Sequence, residues 1–308
     1  MPLPAEPLVA CLGMAVLDRI FTVPALPAGP TKLYADTLTE VGGGPASTAA
    51  AAVVRLGGQA RLFGRVGADT VGDAVLAGLA ADGVDAAGVR RLPGAQSAWS
   101  AVAVDPRGER LILNTPGRGL DVPPDWIGPG ALCGASAVLV DMGWPDGAAR
   151  LLRLAREAGV ASVLDADLGP HPGANALIGL ADHVVFSAAG LAHHAGTADP
   201  LDGLRRMAGR APGALLGVTL GVTLGGDGFL WLDAGAPRRS PAPSVAVRDT
   251  LGAGDVFHGA YALALAQCRP VADAARFANA AAALKCTRPG GRAGIPSRAE
   301  VDALLSTG

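Results

Sequence analysis

Asp249-Thr-Leu-Gly-Ala-Gly-Asp-Val-Phe-His-Gly-Ala260 is the stretch on which the reading of this chain turns. Gly252, Ala253 and Gly254 carry little or no side chain, so their backbone N–H groups stay uncovered. The apolar run that follows, Val256 to Ala266, predicts a helix beginning near Asp255. A helix start offers unpaired N–H donors and about half a positive charge, which suits an anion such as a phosphoryl group in transfer. Asp255 stands beside that anion. Its residue type reads two ways: an N-cap carboxylate, or a general base that takes a proton from an acceptor hydroxyl.

Half of the 308 residues are hydrophobic, enough for one large α/β core with a small appendage. A net charge of −2 creates no basic field, and 4% aromatic residues are too few for base-stacking platforms, so nucleic acid is set aside as a partner. Met1-Pro-Leu-Pro-Ala-Glu-Pro7 lacks the basic start of a signal peptide, and no apolar run reaches the roughly 18 residues of a membrane span. Cys11, Cys133, Cys268 and Cys286 are scattered without a Cys-x-x-Cys pair; they are expected to be reduced core thiols of a cytoplasmic protein. The adjacent pair His193-His194 lacks a third metal ligand and reads as a loop or helix end.

Leu8 to Leu12 is an apolar run expected of a strand buried on both faces, and Asp18 follows in what reads as a crevice loop, as a hydroxyl ligand or a plain exposed carboxylate. Short alternating segments between Arg19 and Val41, and between Ser97 and Asn114 around the turn Asp105-Pro-Arg-Gly108, predict a small sheet of about residues 15–41 and 96–115. Gly42-Gly43-Gly44 opens a helix from Pro45 to Leu56; without a following Gly-Lys-Ser/Thr it is no P-loop. A further helix reaches about Ala81. Ala137 to Asp141, Asp146 to Ala158 and Ala161 to Leu164 read strand, helix, strand, and the alternation continues through Asp182 to Phe186 and Pro200 to Met207. Gly-Val-Thr-Leu stands in tandem at 217 to 220 and 221 to 224; the second copy is expected in the sheet, since Gly225-Gly226-Asp227-Gly228 follows it. A helix from Asp273 to Leu284 leads into the Gly- and Pro-rich segment Lys285 to Pro296 and a last helix from Ser297.

The pattern Asp249-Thr250-x-Gly252-Ala253-Gly254-Asp255-x-x-x-Gly259-Ala260 resembles the C-terminal signature of the ribokinase-type (PfkB) carbohydrate kinases, and the likeness extends in order over nearly the whole chain. It implies a single α/β domain over residues 1–308: a ribokinase-like, mostly parallel central sheet with helices on both faces, and a small β-sheet lid that also carries a homodimer contact. It implies ATP and Mg2+ as cofactors, K+ as an added ion, and a small-molecule sugar as partner. Asp255 becomes the base and Gly252, Ala253 and Gly254 the anion hole; Asp18, Lys32, Gly43, Gly44, Ser47 and Asn114 face the sugar, with Arg65 and Asp69 either shaping the pocket or forming a solvated pair. Thr223, Gly225, Gly228 and Asn279 face the nucleotide, with Gly290 and Gly291 in an adenine wall, and backbone oxygens near Asp249 and Leu251 hold the monovalent cation.

The chain also departs from that family. Ser47 stands where an asparagine is usual, with fewer donors and a shorter reach. Ser187-Ala-Ala-Gly190 replaces Asn-x-x-Glu, which leaves Asp165 and Asp167 as the nearest acids to orient magnesium through water. Val41 to Ala46, Phe186-Ser187 and the tail Ala283 to Pro296 are most similar to the 6-deoxy-6-sulfofructose kinase branch, yet Gly143 stands where that branch has an arginine. Losing a bidentate guanidinium there keeps a neutral ketose or ribose in play. The rival readings are a nucleoside or other small-molecule kinase of the same fold and a catalytically silent sugar or nucleotide sensor.

Overall fold

The computed structural model describes residues 6–107, 109–168, 174–210 and 218–307. Its elements begin with β1 (Leu8–Leu12), β2 (Val16–Thr22), β3 (Thr37–Gly43), α1 (Pro45–Arg55), β4 (Gln59–Gly67), α2 (Thr70–Ala81), β5 (Asp85–Leu92), β6 (Trp99–Val104) and β7 (Arg110–Thr115). They continue with β8 (Ala135–Asp141), α3 (Pro145–Ala158), β9 (Ala161–Ala166), β10 (His183–Ser187), α4 (Ala188–Ala195), α5 (Pro200–Arg210) and β11 (Thr219–Thr223). The last are β12 (Phe229–Asp233), β13 (Ala236–Ser240), α6 (Ala253–Ala266), α7 (Val271–Cys286) and α8 (Arg298–Ser306).

Strand alternation sorts the core into two layers. In β1, Val9 and Cys11 pack into one apolar cluster and Ala10 and Leu12 into the other. The strand sits inside a nine-stranded sheet of order β13-β12-β11-β10-β9-β8-β1-β4-β5. Strands β11 through β5 run parallel, and only the β12–β13 edge is antiparallel. Helices α1, α2, α6, α7 and α8 cover one face, and α3, α4 and α5 the other. Gly259 lets α6 lie directly on α1, since a Cβ there would come within 2.4 Å of the Ala49 carbonyl oxygen. That contact seats the start of α6 at the carboxyl ends of the central strands, where open α/β sheets hold their ligands.

A second sheet of order β3-β2-β6-β7 stands apart from the main one. Asp18 therefore lies within a strand, not in the expected loop: β2 pairs with β3 on one side and β6 on the other along its length. Val41, Asp18, Ser100 and Asn114 form one rung across all four strands, so their side chains share a face. Leu38, Leu111 and Leu113 are exposed on the opposite face. The Asp105 carboxylate closes the β6–β7 turn by accepting from the N–H groups of Arg107 and Glu109, while Gly108 lies outside the described residues.

Two further expectations change. Strand β11 straddles the tandem repeat, taking Thr219-Leu220 from the first copy and Gly221-Val222-Thr223 from the second, with Gly217 outside the described residues. Strand pairing with β10 and β12 selects the length, whatever the repeat boundary. The four cysteines are free, but only Cys11 is buried; Cys133 and Cys268 are exposed because they follow helical turns at the surface. His193 and His194 sit in the last turn of α4, as their residue type suggested. No helix among the described residues is long and apolar enough to cross a membrane.

Candidate active site

The signature folds as a tight turn feeding α6. Gly252 is the N-cap in the left-handed region, with φ 76° and ψ 7°, where a side chain would be strained. The Ala253 N–H is consumed by the Thr250 carbonyl at 3.2 Å; the amides of Gly252, Gly254 and Asp255 find no acceptor among the described residues. Asp255 is the third helical residue and not the cap, and its carboxylate accepts no hydrogen bond from the described protein. Loss of hydration in the crevice pushes its pKa up to about 7, with the charges of Asp165 and Asp141 adding to the rise and those of His258 and Arg292 opposing it. A free carboxylate near neutrality beside unpaired amides can accept a proton while an anion is held next to it.

His258, one turn further along α6 from Asp255, is buried. Its Nδ1 lies 2.7 Å from the Gly254 carbonyl oxygen, while Nε2 lies 3.3 Å from the Val185 oxygen and 3.4 Å from Asp165 Oδ1. Burial opposes charge on both partners, pulling the imidazole down and pushing the Asp165 carboxyl well up. Asp165 is thus enclosed against a histidine. Asp167 is exposed and accepts from the Ser187 hydroxyl at 2.6 Å, and the same oxygen of Ser187 caps α4 through Gly190. No cluster of three or more His, Cys, Asp or Glu side chains able to hold a metal occurs among the described residues.

On the small sheet, the Asp18 carboxylate packs on Gly43, where a Cβ would meet Oδ2 at 2.1 Å. Burial raises its pKa, and the neighbouring Ser100 hydroxyl and Arg292 guanidinium pull the other way. Gly44, at φ 92°, caps α1, and a Cβ on it would approach the Met14 carbonyl oxygen to 2.6 Å. Ser47 is fully buried and turned away from open space: it donates to the Gly43 carbonyl and accepts from Arg292 Nη2 at 2.6 Å. The same guanidinium reaches the Gly43 carbonyl at 3.0 Å, Thr48 Oγ1 at 3.3 Å and Asp82 Oδ2 at 3.2 Å. Asn114 is exposed on the Asp18 rung. Lys32 is exposed between β2 and β3 and makes no hydrogen bond among the described residues.

Arg65 and Asp69 do not form a pair. Asp69 caps α2 through Gly72 N–H and accepts from Ser97, which holds the strand ends together. Arg65 is buried, donates from Nε to the Leu120 carbonyl at 2.7 Å, and lays its guanidinium 4.3 Å from the centre of the Trp144 ring. Its Nη1 and Nη2 find no acceptor among the described residues. Arg65 lines a cavity of about 140 Å³ together with Gly13, Gly117, Asp121 and Gly143.

Behind the turn, Thr223, Gly225, Gly228 and Asn279 line a second cavity of about 210 Å³, which reaches Ala253 and Gly254 and is walled by Val245 and Val247. The amide of Asn279 donates to the Ser240 carbonyl at 2.9 Å, so it anchors the cavity wall. Gly290 and Gly291 lie elsewhere: the Gly290 N–H donates to Asp249 Oδ2 at 3.1 Å. Asp249 Oδ1 accepts from Leu251 N–H at 2.8 Å, and the Lys285 ammonium donates to both the carbonyl and Oδ2 of Asp249 at 3.1 Å. From β7 of the small sheet, Arg110 Nη2 donates to the Thr250 hydroxyl.

Sequence reasoning missed Arg292, Lys285, His258 and Arg110. Lys285 could have been flagged as a lone lysine closing an alanine-rich, largely apolar helix; the others show no local signal.

Residues 6–298 match the profile of the pfkB family of carbohydrate kinases. A ribokinase of Bacillus subtilis is 50% identical over 58 residues, which span 19% of this chain and only 20% of that protein. A solved protein of Agrobacterium tumefaciens, assigned provisionally as a ribokinase, is 37% identical with a TM-score of 0.93 over 98% of both chains. The ribokinase of Arabidopsis thaliana, solved with ribose and ATP, is 25% identical with a TM-score of 0.81, covering 98% of this chain and 99% of that one.

Proposed function

Because the chain belongs to the pfkB family of carbohydrate kinases, we propose that it is an ATP-dependent sugar kinase in which Asp255 is the general base. The acceptor hydroxyl gives its proton to Asp255 as its oxygen bonds to the γ-phosphorus, while the bond from that phosphorus to the β–γ bridging oxygen breaks and ADP leaves with the electron pair. The unpaired amides of Gly252 and Gly254, at the positive end of α6, meet the charge on the moving phosphoryl oxygens. The observation that carries this reading is the unbonded Asp255 carboxylate, poised at about 7, next to those amides. It also weighs against a silent sensor, which has no use for such a group.

ATP enters the cavity lined by Thr223, Gly225 and Gly228, which ends at the anion hole. Magnesium, when bound with the phosphates, would supply charge neutralisation. Of the two candidate acids, the exposed Asp167 could hold it through water and Asp165, closed against His258, could not. Asp18 accepts from sugar hydroxyls, and Gly43 keeps its carboxylate unobstructed. Ser47 acts by holding Arg292 and the Gly43 carbonyl in place.

For the acceptor, an anionic ketose of the 6-deoxy-6-sulfofructose type is the preferred reading. Arg65 supports it: the residue lines the same cavity as Gly143 and only its Nε is engaged, so a guanidinium from β4 stands in for the one missing at position 143. Ribose is the second reading, favoured by the likeness to a ribokinase solved with ribose. The exposed Leu38, Leu111 and Leu113 support a homodimer through the lid.

The test is ADP formation from ATP and magnesium across fructose, ribose, 6-deoxy-6-sulfofructose, sugar phosphates and nucleosides, beside Asp255→Asn. One acceptor driving ADP release in the native chain alone supports the reading and names the substrate. ATP binding with no stimulation by any acceptor refutes it.

A further inference from the structure

The fold family implies a monovalent cation held by backbone oxygens near Asp249 and Leu251, and the residues around Asp249 do not fit one. Lys285 lies in the last turn of α7 with no exposed surface. Its Nζ is 3.1 Å from the Asp249 carbonyl oxygen and 3.1 Å from Asp249 Oδ2. The backbone oxygen a cation would take is therefore already bonded to a fixed positive charge. An alkali ion placed beside that buried ammonium would meet a like charge at close range.

The lysine sits at the centre of the scaffolding behind the anion hole. Asp249 Oδ1 accepts from Leu251 N–H and Oδ2 from Gly290 N–H, so one carboxylate ties the signature to the C-terminal segment. The Cys286 carbonyl accepts from the N–H groups of Arg248 and Asp249 at 2.8 and 3.1 Å, docking the same segment on the end of α7. Gly252, whose left-handed turn frees the amides, follows Asp249 by three residues. A cation that fixes the Asp249 carbonyl thereby fixes where those amides point. Lysine in a last helical turn also meets the negative end of the helix favourably.

We propose that Lys285 is a built-in replacement for the monovalent cation, a positioning residue whose ammonium holds Asp249 and the anion-hole turn without any added ion. Ammonium and potassium carry the same charge, are close in size and favour oxygen partners, so one can occupy the role of the other. The chain is then insensitive to potassium.

The experiment compares the native chain with Lys285→Ala in potassium chloride, sodium chloride and choline chloride at one ionic strength, reading ADP formation and melting temperature. The native chain is expected to show the same turnover and melting temperature in all three salts, within about twofold in rate. Lys285→Ala is expected to lose about tenfold or more in choline and to regain activity and thermal stability with potassium or methylammonium, since removing the side chain uncovers the oxygens. Potassium-specific activation or stabilisation of the native chain overturns the proposal, and this arm needs no variant. Full turnover of Lys285→Ala in choline overturns it too. The activity arm rests on the kinase reading, while the melting arm does not. If no acceptor drives ADP release in any salt, the kinase reading fails and potassium-specific stabilisation of Lys285→Ala alone still upholds the role of Lys285.

Discussion

Replacing Asp255 with asparagine should cripple catalysis and stabilise the fold, and the two effects should separate with pH. The amide keeps the size and polarity of the side chain but cannot accept the proton, so turnover should fall by about 10² to 10⁴ with ATP binding unchanged. The stability argument follows from the carboxyl's pKa, raised from 3.8 to about 7. A raised carboxyl favours the folded state below its unfolded pKa and loses that favour as pH climbs toward the folded value. At pH 8 the native protein therefore carries the full cost of an ionised Asp255. Three units correspond to at most about 4 kcal/mol, and since the side chain is only half-buried about 2 kcal/mol is the working figure. The carboxamide of the variant never ionises, so thermal melts should place Asp255→Asn a few degrees above the native chain at pH 8, with the gap closing toward pH 4. In the native enzyme kcat/KM should rise with pH and level off above about 7. Near-normal turnover of the variant, or a melting gap that is absent at pH 8, would refute the reasoning.

Gly259→Val should destabilise by about 2–4 kcal/mol, because its side chain would meet the Ala49 carbonyl and push α6 off α1; melting reads the loss and turnover should fall with it. Arg292→Met leaves Ser47, the Gly43 carbonyl and Asp82 without their shared partner, costing about 2–4 kcal/mol and raising KM for the acceptor more than KM for ATP. Arg65→Gln should raise KM for an anionic ketose by about tenfold or more while leaving a neutral ketose within about twofold; equal effects on both would remove Arg65 from the acceptor site.

The signature at 249 to 260 and the alternating core were legible because their information is local. A left-handed turn needs glycine at 252, a helix start exposes its own amides, and a strand buried on both faces must be apolar at every position. The order of strands and helices follows from such periods, and the small sheet from a hairpin turn and short alternating runs. The sequence also placed Thr223, Gly225 and Gly228 together, since they share one loop after one strand.

Partners far apart in the chain were decided only by packing. Ser47 looks like a weakened sugar ligand until Arg292, 245 residues away, is found on its hydroxyl. Asp165 looks like a magnesium ligand until α6 lays His258 against it. Lys285 is one lysine among alanines until α7 docks beside Asp249, 36 residues earlier, and its charge lands where an ion was expected. A side chain's residue type states which bonds it can make, but burial removes the competing water, and the fold alone chooses which of those bonds form.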